Sequence, residues 1–158
     1  MKKHNKVILL ICLIIGTQLI GFLSSTISGD IAGKYLLLNK PPLSPPSPVF
    51  GIVWPILYLL MAVAFFIALM STNGAAPKIK LSVLYGAQLL LNFFWSIVFF
   101  RGDAFWPAFA LILVLDLAVL LCLVQFYRHN KIAAFCMLPY FLWILFASYL
   151  NIGVAMLN

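Results

Sequence analysis

Residues 39–61 read NKPPLSPPSPVFGIVWPILYLLM. Five prolines (Pro41, Pro42, Pro45, Pro46 and Pro48) fill the first half, and a nearly unbroken apolar run follows. Proline fixes φ, lacks a backbone donor and pushes the residue before it toward extended conformations. The first half is therefore a stiff, non-helical segment that delivers the chain into a hydrophobic helix. Pro55 removes a hydrogen bond beside Trp54, so a local kink is expected there. A rigid segment at the mouth of an apolar helix has the character of a lid, and the rest of the chain must supply what it would cover.

Working outward, the composition excludes an ordinary soluble domain. The 158 residues are 65% hydrophobic and 8% charged, with a mean hydropathy of +1.14. Globular chains are about half apolar and about a quarter charged. A membrane span needs roughly 20 apolar residues, so the length suits five spans with short connections. The net charge of +7 comes from basic residues placed singly or in pairs at segment ends. That pattern fits membrane topology and not a nucleic-acid patch, so no nucleic-acid partner is expected. Cys12, Cys122 and Cys136 sit in apolar runs without metal-ligand spacing and read as packing residues.

The expected architecture is an all-α integral membrane protein: a single five-helix transmembrane bundle over 1–158, with spans at about 7–28, 48–70, 79–100, 106–126 and 132–157. Residues 29–47 form the connecting lid loop. The first apolar run is longer than the core of a signal peptide, so it is read as a retained span. Gly16 and Gly21 in that span are expected to permit close helix approach, and Gly86 with Ala87 in the third to support close packing at a dimer interface. Lys2, Lys3, Lys6, Lys78, Lys80, Arg128 and Lys131 share one side of a five-span chain, against Lys34, Lys40 and Arg101 on the other. Positive-inside bias then puts the N-terminus in the cytoplasm, and the first loop and C-terminus outside.

Conventional catalytic groups are scarce. The acids are Asp30, Asp103 and Asp116, there is no glutamate, and His4 and His129 lie far in topology from the proline-rich loop. No catalytic residue or metal ligand is assigned, and no cofactor is required. Asp116 lies within a span and is read as hydrogen-bonded to Gln18, Gln88 or Ser148, with a proton or ion relay as the alternative.

The helical faces are more informative. Phe50, Trp54, Tyr58, Met61 and Phe65 recur at helical spacing in the second span, and Gln88, Asn92 and Ser96 form an i, i+4 polar stripe in the third. Asn92 shares a face with Trp95, and Trp143 with Ala147. Indole walls with a few amides suit a flat, hydrophobic ligand. Periodicity leaves this pocket and an interfacial tryptophan belt both open.

The strings KPPLSPPSPVFGIVWPILYLLM, QLLLNFFWSIVFF and LPYFLWILFASYLNIGVAMLN resemble, in order and spacing, the motifs of the tryptophan-rich sensory protein or translocator protein family, the peripheral benzodiazepine receptors. The resemblance covers nearly the whole chain. It implies a bundle, often a homodimer in membrane lipid, whose pocket is closed by the first loop. It also implies binding of protoporphyrin IX or related tetrapyrroles and of benzodiazepine-type or isoquinoline carboxamide drugs, in a bacterial plasma membrane. By motif position the ligand-binding residues would be Tyr35, Trp54, Tyr58, Asn92, Trp95, Trp143, Ala147 and Leu150. The expected function is that of a receptor or sensor. Alternatives are a transporter of lipophilic substrates and a light- and oxygen-dependent porphyrin-degrading activity using Trp54 and Trp143. The family loop usually carries tryptophans where this chain has Lys34, Leu43 and Pro48, which should alter selectivity. The chain ends VAMLN without a basic residue, so the sterol motif of animal members is not matched.

Overall fold

A computed structural model describes Lys3–Asn158. Five helices are long and apolar enough to cross a membrane, and the chain is an integral membrane helix bundle. They are α1 (Lys3–Ser28), α3 (Pro48–Ser71), α4 (Ala75–Ser96), α5 (Phe105–His129) and α6 (Lys131–Leu157), with a short α2 (Ile31–Leu37) after α1. Neighbour contacts run α1–α3–α6–α5–α4 and back to α1, which closes a ring. The widely exposed apolar side chains, such as Leu23, Ile52, Val83, Leu117 and Phe135, point outward as lipid-facing residues do.

The local sequence explains the helix ends. Gly29 leaves α1 at φ +84, a conformation cheap only for glycine. Asp30 then caps α2 by accepting from the Gly33 N–H at 2.9 Å. Pro48 sits in the first turn of α3, where its missing N–H costs nothing. Asn130 caps α6 through the Ile132 N–H at 2.8 Å and donates to Ser71 Oγ at 2.9 Å, tying the α5–α6 turn to the end of α3.

Three features differ from the sequence reading. The connection at 29–47 is not all loop, because IAGKYLL folds as α2. Seven residues are too few to show a helical period, and the decisive signal was the Asp30 cap. The third span starts at Ala75 and ends in a π-helical turn, Ile97–Arg101, which widens the helix before the α5 connection. Of the two α1 glycines expected to allow close approach, Gly21 does so within the chain, where a Cβ would overlap the Tyr58 ring, whereas Gly16 has no neighbouring atom of the chain within reach of a Cβ.

The lid is fastened at several points. Tyr35 donates to the Pro45 carbonyl at 2.8 Å, and Tyr149 of α6 donates to the Pro42 carbonyl at 2.7 Å. Lys40 Nζ caps the end of α2 by donating to the carbonyls of Tyr35 at 2.8 Å and Leu38 at 2.9 Å. Lys34 Nζ meets both oxygens of Asp103 at 2.9 Å, joining α2 to the connection before α5. Asn39 and Asn158 exchange hydrogen bonds of 3.0 and 2.9 Å, so the lid and the end of α6 lie at the same end of the bundle. The ring of Pro41 rests against Gly153, where any Cβ would overlap it.

Candidate functional site

Beneath the lid lies a cavity of about 960 Å³, at the upper end of the range for small-molecule sites. Its walls come from α1, α2, α3, α4 and α6, and Tyr35, Trp54, Tyr58, Asn92, Trp95, Trp143, Ala147 and Leu150 all line it. Those eight residues come from four separate helices, α2, α3, α4 and α6, and converge on one space. Trp54, Trp95 and Trp143 are cavity residues, while Trp106, 57% exposed at the start of α5, has the position of an interfacial anchor.

The floor is a polar network on an otherwise apolar site. Tyr58 donates to Asn92 Oδ1 at 3.0 Å, Asn92 Nδ2 donates to Tyr140 Oη at 2.9 Å, and Tyr140 donates to Gln88 Oε1 at 3.0 Å. Buried polar groups are costly unless paired, so these bonds fix the side chains in place. Asn92 is thereby held between two phenols, with both ends of its amide engaged. Trp95 is set by a 2.9 Å bond from its Nε1 to Asn151 Oδ1, and Asn151 donates in turn to the Phe105 carbonyl at 2.8 Å. The Trp143 N–H, by contrast, is buried without a protein acceptor among the described residues.

The aromatic rings are arranged edge to face. Tyr35 meets Phe50 at 5.0 Å between centroids, Phe50 meets Trp143 at 6.0 Å, and Trp54 meets Tyr140 at 6.4 Å. Such pairs hold each other's orientation. Burial pushes the Tyr35 phenol above its usual pKa, partly offset by the Ser44 hydroxyl, so it stays protonated and donating to the lid backbone at neutral pH.

The sequence reading assigned no site residue to the first span. In the structure α1 forms a wall through Gln18, Gly21 and Phe22. The available signal was the set of polar residues in an apolar helix. Thr17 bonds to Tyr85 at 2.8 Å, Gln18 donates to the Pro55 carbonyl at 2.8 Å, and Ser24 donates to the Phe93 carbonyl at 3.0 Å. Tyr140 and Asn151 of α6 support Asn92 and Trp95, a role that spacing within one helix does not reveal because the bonds cross between helices. Of the three partners expected for Asp116, Ser148 is the one found, donating to Asp116 Oδ2 at 2.8 Å. Asp116 does not line the cavity. Among the positions where family tryptophans are usual, Lys34 carries the ion pair to Asp103, Leu43 is 84% exposed, and Pro48 opens α3.

A family model described as "TspO/MBR family" matches residues 8–157. The chain belongs to the TspO/MBR family. It is 37% identical over 150 residues to the tryptophan-rich protein TspO of Archaeoglobus fulgidus, covering 94% of this chain and 96% of that one. Against the tryptophan-rich protein TspO of Chlorobaculum tepidum it is 35% identical, covering 98% and 99%. The human translocator protein is 30% identical over 129 residues, covering 81% of this chain and 76% of that one. TspO/MBR membership accords with motifs that run from the lid to the last helix, and the cavity brings the residues of those motifs together.

Proposed function

We propose that this protein is a membrane receptor or sensor that takes a flat tetrapyrrole such as protoporphyrin IX, or a benzodiazepine-type or isoquinoline carboxamide drug, into the cavity under the lid. The observation that carries this reading is the convergence of Trp54, Trp95 and Trp143 with Asn92 and Tyr58 on one largely apolar space. Stacking and burial supply affinity, at about 25 cal/mol per Å² of apolar area before ordering costs. The unpaired Trp143 N–H offers a donor for a ligand carbonyl or carboxylate. No histidine lines the cavity, so metal-free porphyrin should bind at least as well as haem. The protein acts as a homodimer in a bacterial plasma membrane, with the lid outside, as the basic residues at the opposite end favour.

Titration of purified protein with protoporphyrin, followed by tryptophan quenching, tests this. Binding should weaken at least tenfold when Trp54→Phe and Trp143→Phe are combined, and an unchanged titration would remove the pocket assignment. A second reading, light- and oxygen-dependent porphyrin breakdown, is favoured by Trp54 and Trp143 lining the same cavity. It requires products that free tryptophan does not yield under the same illumination. Transport, in line with the name of the translocator protein relatives, requires saturable flux in proteoliposomes. Coupling through Asp116 has little support, since Asp116 lies off the cavity.

A further inference from the structure

The end of the bundle opposite the lid carries a second, smaller cavity of about 440 Å³ between the start of α4 and the end of α5, lined by Ala76, Pro77, Lys80, Gln125, Arg128 and His129. We infer that this cavity is a seat for the phosphate headgroup of an anionic phospholipid.

The charge balance is one-sided. Lys80 and Arg128 converge on the cavity, and Lys3, Lys6, Lys78 and Lys131 surround the same end of the bundle. The chain's three aspartates lie elsewhere: Asp30 and Asp103 are at the lid end and Asp116 is midway along α5. The one ion pair among the described residues is Lys34–Asp103, so neither Lys80 nor Arg128 has a carboxylate partner there. The first turn of α4 adds to this. Gly74 caps the helix without a side-chain bond, and the Ala75 and Ala76 N–H groups of the first turn, where Pro77 has none, point outward with the positive end of the helix dipole. Gln125 contributes an amide able to donate to a phosphate oxygen.

The position selects a lipid over a soluble anion. One turn deeper on the same two helix faces, Val83 is 64% and Leu121 44% exposed, giving an apolar seam that continues from the cavity into the bilayer. Tyr127, 52% exposed, sits at the interfacial level beside it. A ligand with a phosphate at one end and acyl chains at the other matches both parts, whereas free phosphate matches only the first. Basic pockets between membrane helices recognise acidic headgroups by this logic.

The test is native mass spectrometry of the full chain released from micelles doped with phosphatidylglycerol or phosphatidylcholine, alongside thermal unfolding at low and high salt. Wild-type protein should retain phosphatidylglycerol in preference to phosphatidylcholine and gain melting temperature from it at low salt. The Lys80→Gln, Arg128→Gln pair should lower its apparent phosphatidylglycerol affinity by about 30-fold, at roughly a factor of five for each lost cation. Arg128→Lys should retain most of the affinity and shows that folding is not the cause. Lys3→Gln with Lys6→Gln should leave the affinity within about twofold. Equal retention of the two lipids, an equal loss in the Lys3, Lys6 variant, or the same stabilisation by inorganic phosphate at matched ionic strength would each overturn the assignment.

Discussion

The half of the bundle under the lid and the half beyond the Tyr58–Asn92–Tyr140 network use the same five long helices but pack in opposite ways. In the far half, Met61, Ala62, Ala64, Ala68, Leu115, Val119, Cys122, Phe126, Ala133 and Met137 have no exposed surface. Small side chains on α3 and α6 let those helices close on one another. Under the lid the same helices carry Phe50, Trp54 and Trp143, whose rings are locked edge to face. Rigid rings cannot collapse into the gap between them, so the helices stay apart and a cavity remains. A single face of α3 runs through both regimes, with Trp54 and Tyr58 lining the hollow and Met61 and Phe65 in the solid core. Side-chain size along the helix, more than helix placement, decides where the space is.

The strongest break of that contrast is to overfill the solid half. Ala68→Leu should destabilise by about 1–3 kcal/mol because nothing nearby can yield, as read by thermal unfolding in detergent. Ala147→Leu adds the same atoms to the hollow half and should leave the melting temperature nearly unchanged while blocking porphyrin binding. Equal melting shifts for the two would show that the cavity is not a real division. The next largest effect is expected at the boundary. Tyr140→Phe leaves Asn92 Nδ2 and Gln88 Oε1 without their partner and should cost about 1–2 kcal/mol. It should also weaken ligand binding by freeing the Asn92 amide. The smallest effect belongs to the lid. Lys34 and Asp103 are 35% and 62% exposed, so Lys34→Gln should cost at most about 1 kcal/mol. Its signature is faster hydrogen exchange across α2, with the difference from wild type vanishing in high salt.

The sequence spoke clearly on the bundle, whereas the residues of the cavity came from the family resemblance, with spacing showing only which of them share a helix face. Long apolar runs bounded by GDIAGK, STNGAAPK and YRHNK leave few alternatives to five spans. The spacing of Trp54 to Tyr58 and of Asn92 to Trp95 places them on common helix faces. What periodicity could not supply was which faces meet. Whether Trp143 turned toward a ligand cavity or the interface depended on the neighbour of α6, and that neighbour is set by packing across 80 or more residues of sequence. The α1 wall was missed because its few polar residues form no periodic stripe, Thr17 and Ser24 being satisfied by α4 and Gln18 by α3. Helix α2 was missed because one cap and seven residues compete with a proline-rich context that reads as loop.

Gly153 gives the lid a kinetic dimension. The Pro41 ring occupies the place of a side chain that this residue lacks, and Gly153 is not among the residues lining the cavity. A methyl group there would strain only the closed lid, by about 1–3 kcal/mol if the neighbours resist, and leave the open one untouched. Gly153→Ala should therefore shorten the residence time of a bound porphyrin by roughly fivefold or more, measured as a dissociation rate by stopped-flow, with every side chain that touches the ligand unaltered. How long a ligand stays would then be governed by an absent atom on the far side of the lid.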